Sequence, residues 1–163
     1  MKTLLFIYHT MTGGTGQMVS TAVQGADSEA AVKTVVLPAR DAQWEHVLAA
    51  DGYVFATPEN LGGISGLLKD FFDRTYYLGL GRLNGRPYGV MICAGSDGSG
   101  AVNQIARIAT GWRLKLVTPP LVVLTHAQTA EAILGPKIIA SEDLGRCRDL
   151  GQTFAAGLAL GVY

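Results

Sequence analysis

Short, largely apolar runs alternate along this chain with longer stretches in which apolar residues recur every three or four positions. Thr3-Leu4-Leu5-Phe6-Ile7-Tyr8, Val32 to Leu37, Gly52 to Thr57 and Tyr88 to Ala94 are such runs. The first lacks the polar residue at every second position that a half-exposed strand shows. It therefore predicts a strand covered on both faces, as in the interior of a parallel sheet, and the others predict further strands. Pro38 is placed as the stop of the second strand and Pro58 as the stop of the third. Leu114 to Thr125 predicts a fifth strand region, which Pro119 and Pro120 must interrupt or bend.

Between the strands the period changes to that of a helix. Gln17 to Gln24 places Met18, Thr21 and Ala22 on one side, and Asp41 is positioned to cap a short helix carrying Trp44, Val47 and Leu48. Ser65 is placed to cap a helix whose Leu67, Leu68, Phe71, Phe72 and Thr75 follow a 3.6-residue period. Ala101 to Trp112 predicts a helix turning Val102, Ile105, Ile108 and Ala109 inward. A last one, capped by Ser141, presents Leu144, Cys147, Leu150, Phe154 and Leu158. Five strand-to-helix alternations predict an α/β layer fold on a parallel sheet. With no repeat, low-complexity tract or linker, residues 1–163 read as one domain. His126 to Ala140 is the least regular stretch, suited to covering a site or a subunit contact.

Composition narrows the function classes. Thirteen Lys and Arg balance thirteen Asp and Glu, so the basic face that nucleic-acid binding requires is not expected. Charges and glycines break every apolar run well short of the ~18 residues of a membrane span. The apolar stretch after Met1-Lys2 ends at His9 with no small-residue cleavage site, so a signal peptide is not expected. Cys93 and Cys147 stand far apart and form no metal-ligand spacing. A reduced, cytoplasmic setting is the corresponding expectation. The 21 glycines change the picture most, because many cluster between apolar runs, where backbone must turn tightly or approach a ligand closely.

In an open α/β sheet, ligands lie beyond the carboxyl ends of the strands, which singles out three loops. The first, His9-Thr10-Met11-Thr12-Gly13-Gly14-Thr15-Gly16, leads from a buried strand into a helix. Threonine hydroxyls, glycine N–H groups and the positive end of the helix dipole converge there as an anion site. No Lys or Arg lies between Lys2 and Lys33, so dipoles and hydroxyls alone are expected to hold the anion. The spacing fits neither a Walker loop nor G-x-G-x-x-G. A plain tight turn needs one glycine and one cap, whereas this loop carries three glycines and three threonines.

Thr10-Met11-Thr12-Gly13-Gly14-Thr15 resembles the T-x-T-G-x-T phosphate loop of flavodoxins. Asp51 to Asn60, followed by Gly62-Gly63 and Leu67 to Arg74, is similar to the segment shared by NAD(P)H-dependent FMN reductases and flavodoxin-like quinone reductases. The resemblance covers nearly the whole chain in element order. It implies a flavodoxin-like three-layer sandwich with a five-stranded parallel sheet of order 2-1-3-4-5, and FMN as cofactor. It implies that Thr10, Thr12, Gly13, Gly14, Thr15 and Gly16 hold the flavin phosphate. It further implies that backbone from Pro58 through Glu59, Asn60, Leu61 and Gly62 lies at the reactive edge of the ring, with Leu61 as an apolar contact. Ala94, Gly95, Ser96, Asp97, Gly98, Ser99 and Gly100 would bind the pyrimidine edge through main-chain groups. The Glu59 side chain is left open, a solvated carboxylate being its plainest reading.

For His9, donation to the phosphate and a strand-end bond to backbone stand as equal alternatives. His46 reads as a solvated helix residue, His126 as a loop residue near the ligand side, and Cys93 as a small core residue. No catalytic side chain, acid–base pair or metal set emerges, so the chemistry belongs to a cofactor positioned by the protein. Flavodoxin-type carriers are acidic and stack aromatics on the ring; this chain is neutral, and its second and third loops hold no Trp or Tyr. That favours an oxidoreductase passing hydride from NADH or NADPH through FMN to a quinone or other small acceptor. An electron carrier, or a flavin-binding module without turnover, is the alternative. The resemblance also implies a homodimer or homotetramer, for which Tyr76-Tyr77-Leu78 offers apolar surface.

Overall fold

A computed structural model describes residues 1–163. Its elements run β1 (Lys2–Tyr8), α1 (Gly14–Ala26), β2 (Val32–Pro38), α2 (Trp44–Ala49), β3 (Gly52–Asn60), β4 (Gly63–Ile64) and α3 (Gly66–Gly79). They continue with β5 (Pro87–Ala94), α4 (Ser99–Gly111), β6 (Lys115–Leu116), β7 (Leu121–Leu124), α5 (Ala130–Leu134) and α6 (Ser141–Leu160). The strands order as β2-β1-β3-β5-β6, with β7 also parallel to β5 and the two-residue β4 antiparallel to β3. This is the expected five-strand order, with the fifth strand split by Thr118-Pro119-Pro120 into β6 and β7, which pair with successive parts of β5.

The apolar strands serve two cores because successive side chains point to opposite faces. Leu4, Phe6, Val54, Ala56, Met91 and Cys93 pack under α1 and α6, with Met18, Ala22, Cys147 and Phe154. Leu5, Ile7, Tyr53, Phe55, Val90 and Ile92 pack under the opposite helices, with Val47, Leu68, Phe71, Phe72, Ile105 and Trp112. Phe55, Phe71, Phe72, Trp112 and Tyr76 form a continuous aromatic cluster there, with centroid separations of 5.1–6.5 Å. Tyr76 is thus held by Trp112, while Tyr77 and Leu78 remain exposed. No helix is long and apolar enough to cross a membrane.

On the first core's face α1 and α6 touch backbone to backbone. A Cβ on Gly151 would fall on the Ala22 carbonyl, and one on Gly25 on the Arg148 carbonyl.

Several local expectations need correction. The N-cap of α2 is Gln43, not Asp41. It forms a reciprocal capping box in which the Gln43 N–H donates to His46 Nδ1 over 3.0 Å, so His46 is a capping group and not merely solvated. Ala140 precedes α6, and Ser141 is its first helical residue. Leu67 points outward from α3, which Ser65 does cap. Pro58 does not stop β3. The His9 N–H donates to the Ala56 carbonyl at 3.1 Å, so Ala56 faces β1, and by strand alternation Pro58 faces the same side. There β1 has already turned into its loop, and the N–H that proline lacks is not required.

Candidate functional site

At the end of β1 the chain turns through Gly13, whose φ of +91° is the left-handed conformation glycine adopts without penalty. The Gly13 N–H donates to Thr10 Oγ1 at 3.2 Å, closing the loop on itself. Gly14, Thr15 and Gly16 then open α1 with N–H groups that have no preceding helical carbonyl to bond. Thr15 is 1% exposed, and its hydroxyl has no partner anywhere in the chain. A Cβ on Gly14 would stand 2.6 Å from Cys93 Sγ, so only glycine lets α1 begin this close to β5. No side chain caps α1, and its first turn holds no acid. The positive end of a 13-residue helix is left facing a cleft.

The second loop is a hairpin. Glu59 pairs with Ile64 and Asn60 with Gly63, and the two residues between, Leu61 and Gly62, both have positive φ, at 51° and 75°. A branched residue in this region is strained by about 1–2 kcal/mol, and the Leu61 side chain is fully exposed. Thr57 fixes the root of the hairpin, its buried Oγ1 accepting from the Ser65 N–H at 3.1 Å. Gln104 of α4 accepts from the Ile64 N–H at 2.9 Å.

Glu59 is not a solvated carboxylate. Its two oxygens accept from the N–H groups of Gly98 and Ala101, each at 3.0 Å, and so cap α4. The Gly62 carbonyl lies against Gly100 so closely that a Cβ on Gly100 would overlap it. The second and third loops are therefore one locked unit. The helix starts after β1 and β5 differ in one respect: α4 has its anion built in, and α1 does not. Removing the Glu59 carboxylate leaves two N–H groups unpaired. Glu59→Ala is expected to lower the unfolding free energy by about 1–3 kcal/mol in chemical denaturation, with Glu59→Gln intermediate because one amide oxygen replaces two carboxylate oxygens.

One cleft gathers Thr10, Thr12, Gly14, Thr15, Pro58, Glu59, Asn60, Ala94 and Gly95 from all three loops. Gly13 and Gly16 shape its first loop and Gly98 the start of α4, while Leu61 and Gly62 form the exposed hairpin tip beside it. Ser96, Asp97 and Ser99 are exposed, and Asp97 is engaged locally, accepting from Ser99 Oγ at 2.6 Å. His9 is not brought into this cleft. Its ring lines a neighbouring cavity with Tyr8, Pro38, Arg40 and Leu67, with Nδ1 buried and unpartnered. Burial holds its pKa below the ordinary histidine value. His126 is exposed, with Thr125 and Ala127 on either side of it lining the cleft.

The structure adds Met11, Cys93, Ile133, Leu134 and Lys137 to the lining. Burial pushes the Cys93 thiol up, with the Lys137 charge acting against it, which suits a core thiol better than a nucleophile. Lys137 also changes the expectation that dipoles and hydroxyls alone face the anion. The irregular segment brings the backbone of this residue against the loop, the Lys137 N–H donating to the Thr12 carbonyl, 125 residues earlier in the chain. The one sign of it in the sequence is that no other Lys or Arg lies between Lys115 and Arg146.

These features agree with what the chain resembles. It is 36% identical over 108 residues to a flavodoxin of Aquifex aeolicus, a match covering 65% of this chain and 56% of that protein. It is 25% identical over 103 residues to an NAD(P)H-dependent FMN reductase of Schizosaccharomyces pombe, covering 63% and 50%. The chain thus spans about half the length of these two relatives. Among solved structures, a WrbA-like flavodoxin of Agrobacterium tumefaciens superposes with a TM-score of 0.73 at 17% identity, covering 99% of each chain. A flavodoxin of Streptococcus pneumoniae TIGR4 gives 0.74 at 19% identity, covering 94% of this chain and 98% of its own. These two share the flavodoxin-like fold. A family model described as NADPH-dependent FMN reductase matches residues 12–130, from inside the first loop to the start of α5, and the chain belongs to that family.

Proposed function

We propose that the chain binds FMN in the three-loop cleft and works as an NAD(P)H-dependent oxidoreductase delivering electrons to a quinone or another small acceptor. The observation that carries this reading is the start of α1. Unpaired N–H groups on Gly14, Thr15 and Gly16, with the buried and unpartnered Thr15 hydroxyl, form a cradle for a phosphate, and no acid of the chain occupies it.

The residues present fit the whole cofactor. Thr10, Thr12, Gly13, Gly14, Thr15 and Gly16 would hold the phosphate. The backbone from Pro58 to Gly62 and from Ala94 to Gly100 would orient the flavin ring. FMN when bound supplies a ring that takes up hydride and gives its electrons on. The chain's share is position and exclusion of water. The Glu59 bonds to Gly98 and Ala101 hold both ring loops in one arrangement, and Leu61 offers an apolar contact whose exposure and backbone strain fit a binding role.

Hydride transfer is favoured over simple electron carriage because no Trp, Tyr or Phe lines the cleft, which leaves a ring face open to a nicotinamide or quinone. The neutral net charge lacks the acidity that steers a carrier to basic partners. The exposed Tyr77, Leu78 and Leu80 support a homodimer or homotetramer. The deciding experiment is anaerobic. The purified protein is expected to be yellow, or to become so with FMN, and to bleach on addition of NADH or NADPH. Bleaching only by dithionite would make it a carrier or a non-catalytic flavin module. A protein that stays colourless with added FMN would end the proposal.

A further inference from the structure

We propose that Lys137 reads the phosphate of the bound flavin, so that the site selects FMN over riboflavin by charge as well as by helix geometry. The inference rests on the FMN reading above, and four observations carry it.

The backbone at residue 137 is fastened to the loop that would hold the phosphate. The Lys137 N–H donates to the Thr12 carbonyl at 2.9 Å, and its own carbonyl accepts from Gln17 Nε2 at 2.7 Å. Gln17 Oε1 accepts from the Ile139 N–H at 3.1 Å, and Gln17 Nε2 also donates to the Gly13 carbonyl at 3.0 Å. One α1 side chain thus ties residues 137 and 139 to the turn of the loop.

Lys137 lines the same cleft as Thr10, Thr12 and Thr15. Lys137 Cβ lies within 3.4 Å of the position a Cβ on Gly14 would take. The charge is felt inside the cleft, where it acts on the Cys93 thiol.

The ammonium has no acidic partner. The chain forms five ion pairs, and Lys137 is in none of them. It donates instead to the Ile133 and Gly135 carbonyls, at 2.8 and 2.6 Å, at the end of α5. An ammonium has three donors, so one remains for a ligand.

The loop itself carries no charge: residues 9–16 include neither Asp, Glu, Lys nor Arg. A phosphate carries up to two negative charges, and helix dipoles supply about half a positive one. A lone, acid-free cation lining that cleft complements the remaining charge.

The test is a flavin titration followed by fluorescence quenching, with FMN and riboflavin as separate probes, on the apoprotein at low and high salt. Wild type is expected to prefer FMN, with an affinity that weakens as salt rises. A hydrogen bond to a charged group corresponds to on the order of ten- to a hundredfold in affinity. Lys137→Met is therefore expected to weaken FMN by that factor, leave riboflavin unchanged and flatten the salt dependence. Lys137→Arg is expected to keep most of the preference. Lys137→Gln, which keeps a donor to the α5 carbonyls, serves if the methionine variant unfolds, and thermal melts of each apoprotein report that. Equal weakening of FMN and riboflavin, or unchanged FMN affinity, overturns the role of Lys137 while leaving the FMN site in place. A wild-type protein that binds neither flavin overturns both readings.

Discussion

Gly100→Ala is expected to weaken FMN binding by at least about tenfold and to lower stability by about 1–3 kcal/mol, the usual cost of forcing atoms into a filled space. The added Cβ would land on the Gly62 carbonyl and 3.3 Å from Glu59 Oε2. Both obstacles belong to the hairpin, and one is backbone, which cannot rotate out of the way. The hairpin must therefore move off α4, and the Glu59 bonds to Gly98 and Ala101 stretch with it. Gly66→Ala is the control, since nothing lies within 4 Å of the position a Cβ would take there and the helix gains propensity. Flavin titrations and thermal melts of both variants check this. A Gly100→Ala protein that binds FMN as wild type does would show that contact between the two ring loops is not needed for the site.

The second large effect concerns stability alone and has a sign test built into one helix. Gly151→Ala places a Cβ on the Ala22 carbonyl of α1, whereas Gly145→Ala, six residues earlier in α6, meets nothing. The first is expected to destabilise by about 1–3 kcal/mol or more through overpacking. The second is expected to stabilise by about 0.5–1 kcal/mol, because alanine restricts the unfolded chain and favours the helix. At this chain length each kcal/mol moves the melting temperature by roughly 2–4 °C. Melting temperatures that move together, in either direction, would contradict the close approach of α1 and α6.

The alternation of strands and helices was legible in the sequence because a strand buried on two faces writes itself as an unbroken apolar run, as in Leu4 to Ile7, whereas the strand order came from the family resemblance alone. The first loop was legible for a related reason: a helix start that must receive an anion needs glycines and hydroxyls at fixed places. What sequence left out was pairing at a distance. Pro58 reads as a stop in any linear pattern, and only the early departure of β1 makes it harmless. Glu59 looks like a loop carboxylate until α4 is seen to begin 3.0 Å from its oxygens. Lys137 sits in a stretch without periodicity, and nothing local ties it to Thr12 or Gln17. His9, at the mouth of the loop, lines a neighbouring cavity with Tyr8, Pro38 and Leu67, a grouping that no local pattern announces.

The split fifth strand matters in a crowded solution. An unbroken apolar strand at the sheet's margin would present a row of free donors and acceptors on which another chain could add as a further strand, the first step toward aggregation. Here that margin is two residues of β6, a gap at Pro119 and Pro120, and four residues of β7. Neither piece is long enough to template an incoming strand, and the prolines contribute no N–H between them. The break that complicates the reading of Leu114 to Thr125 therefore also keeps strands from adding at this margin of the sheet, the other margin being β2.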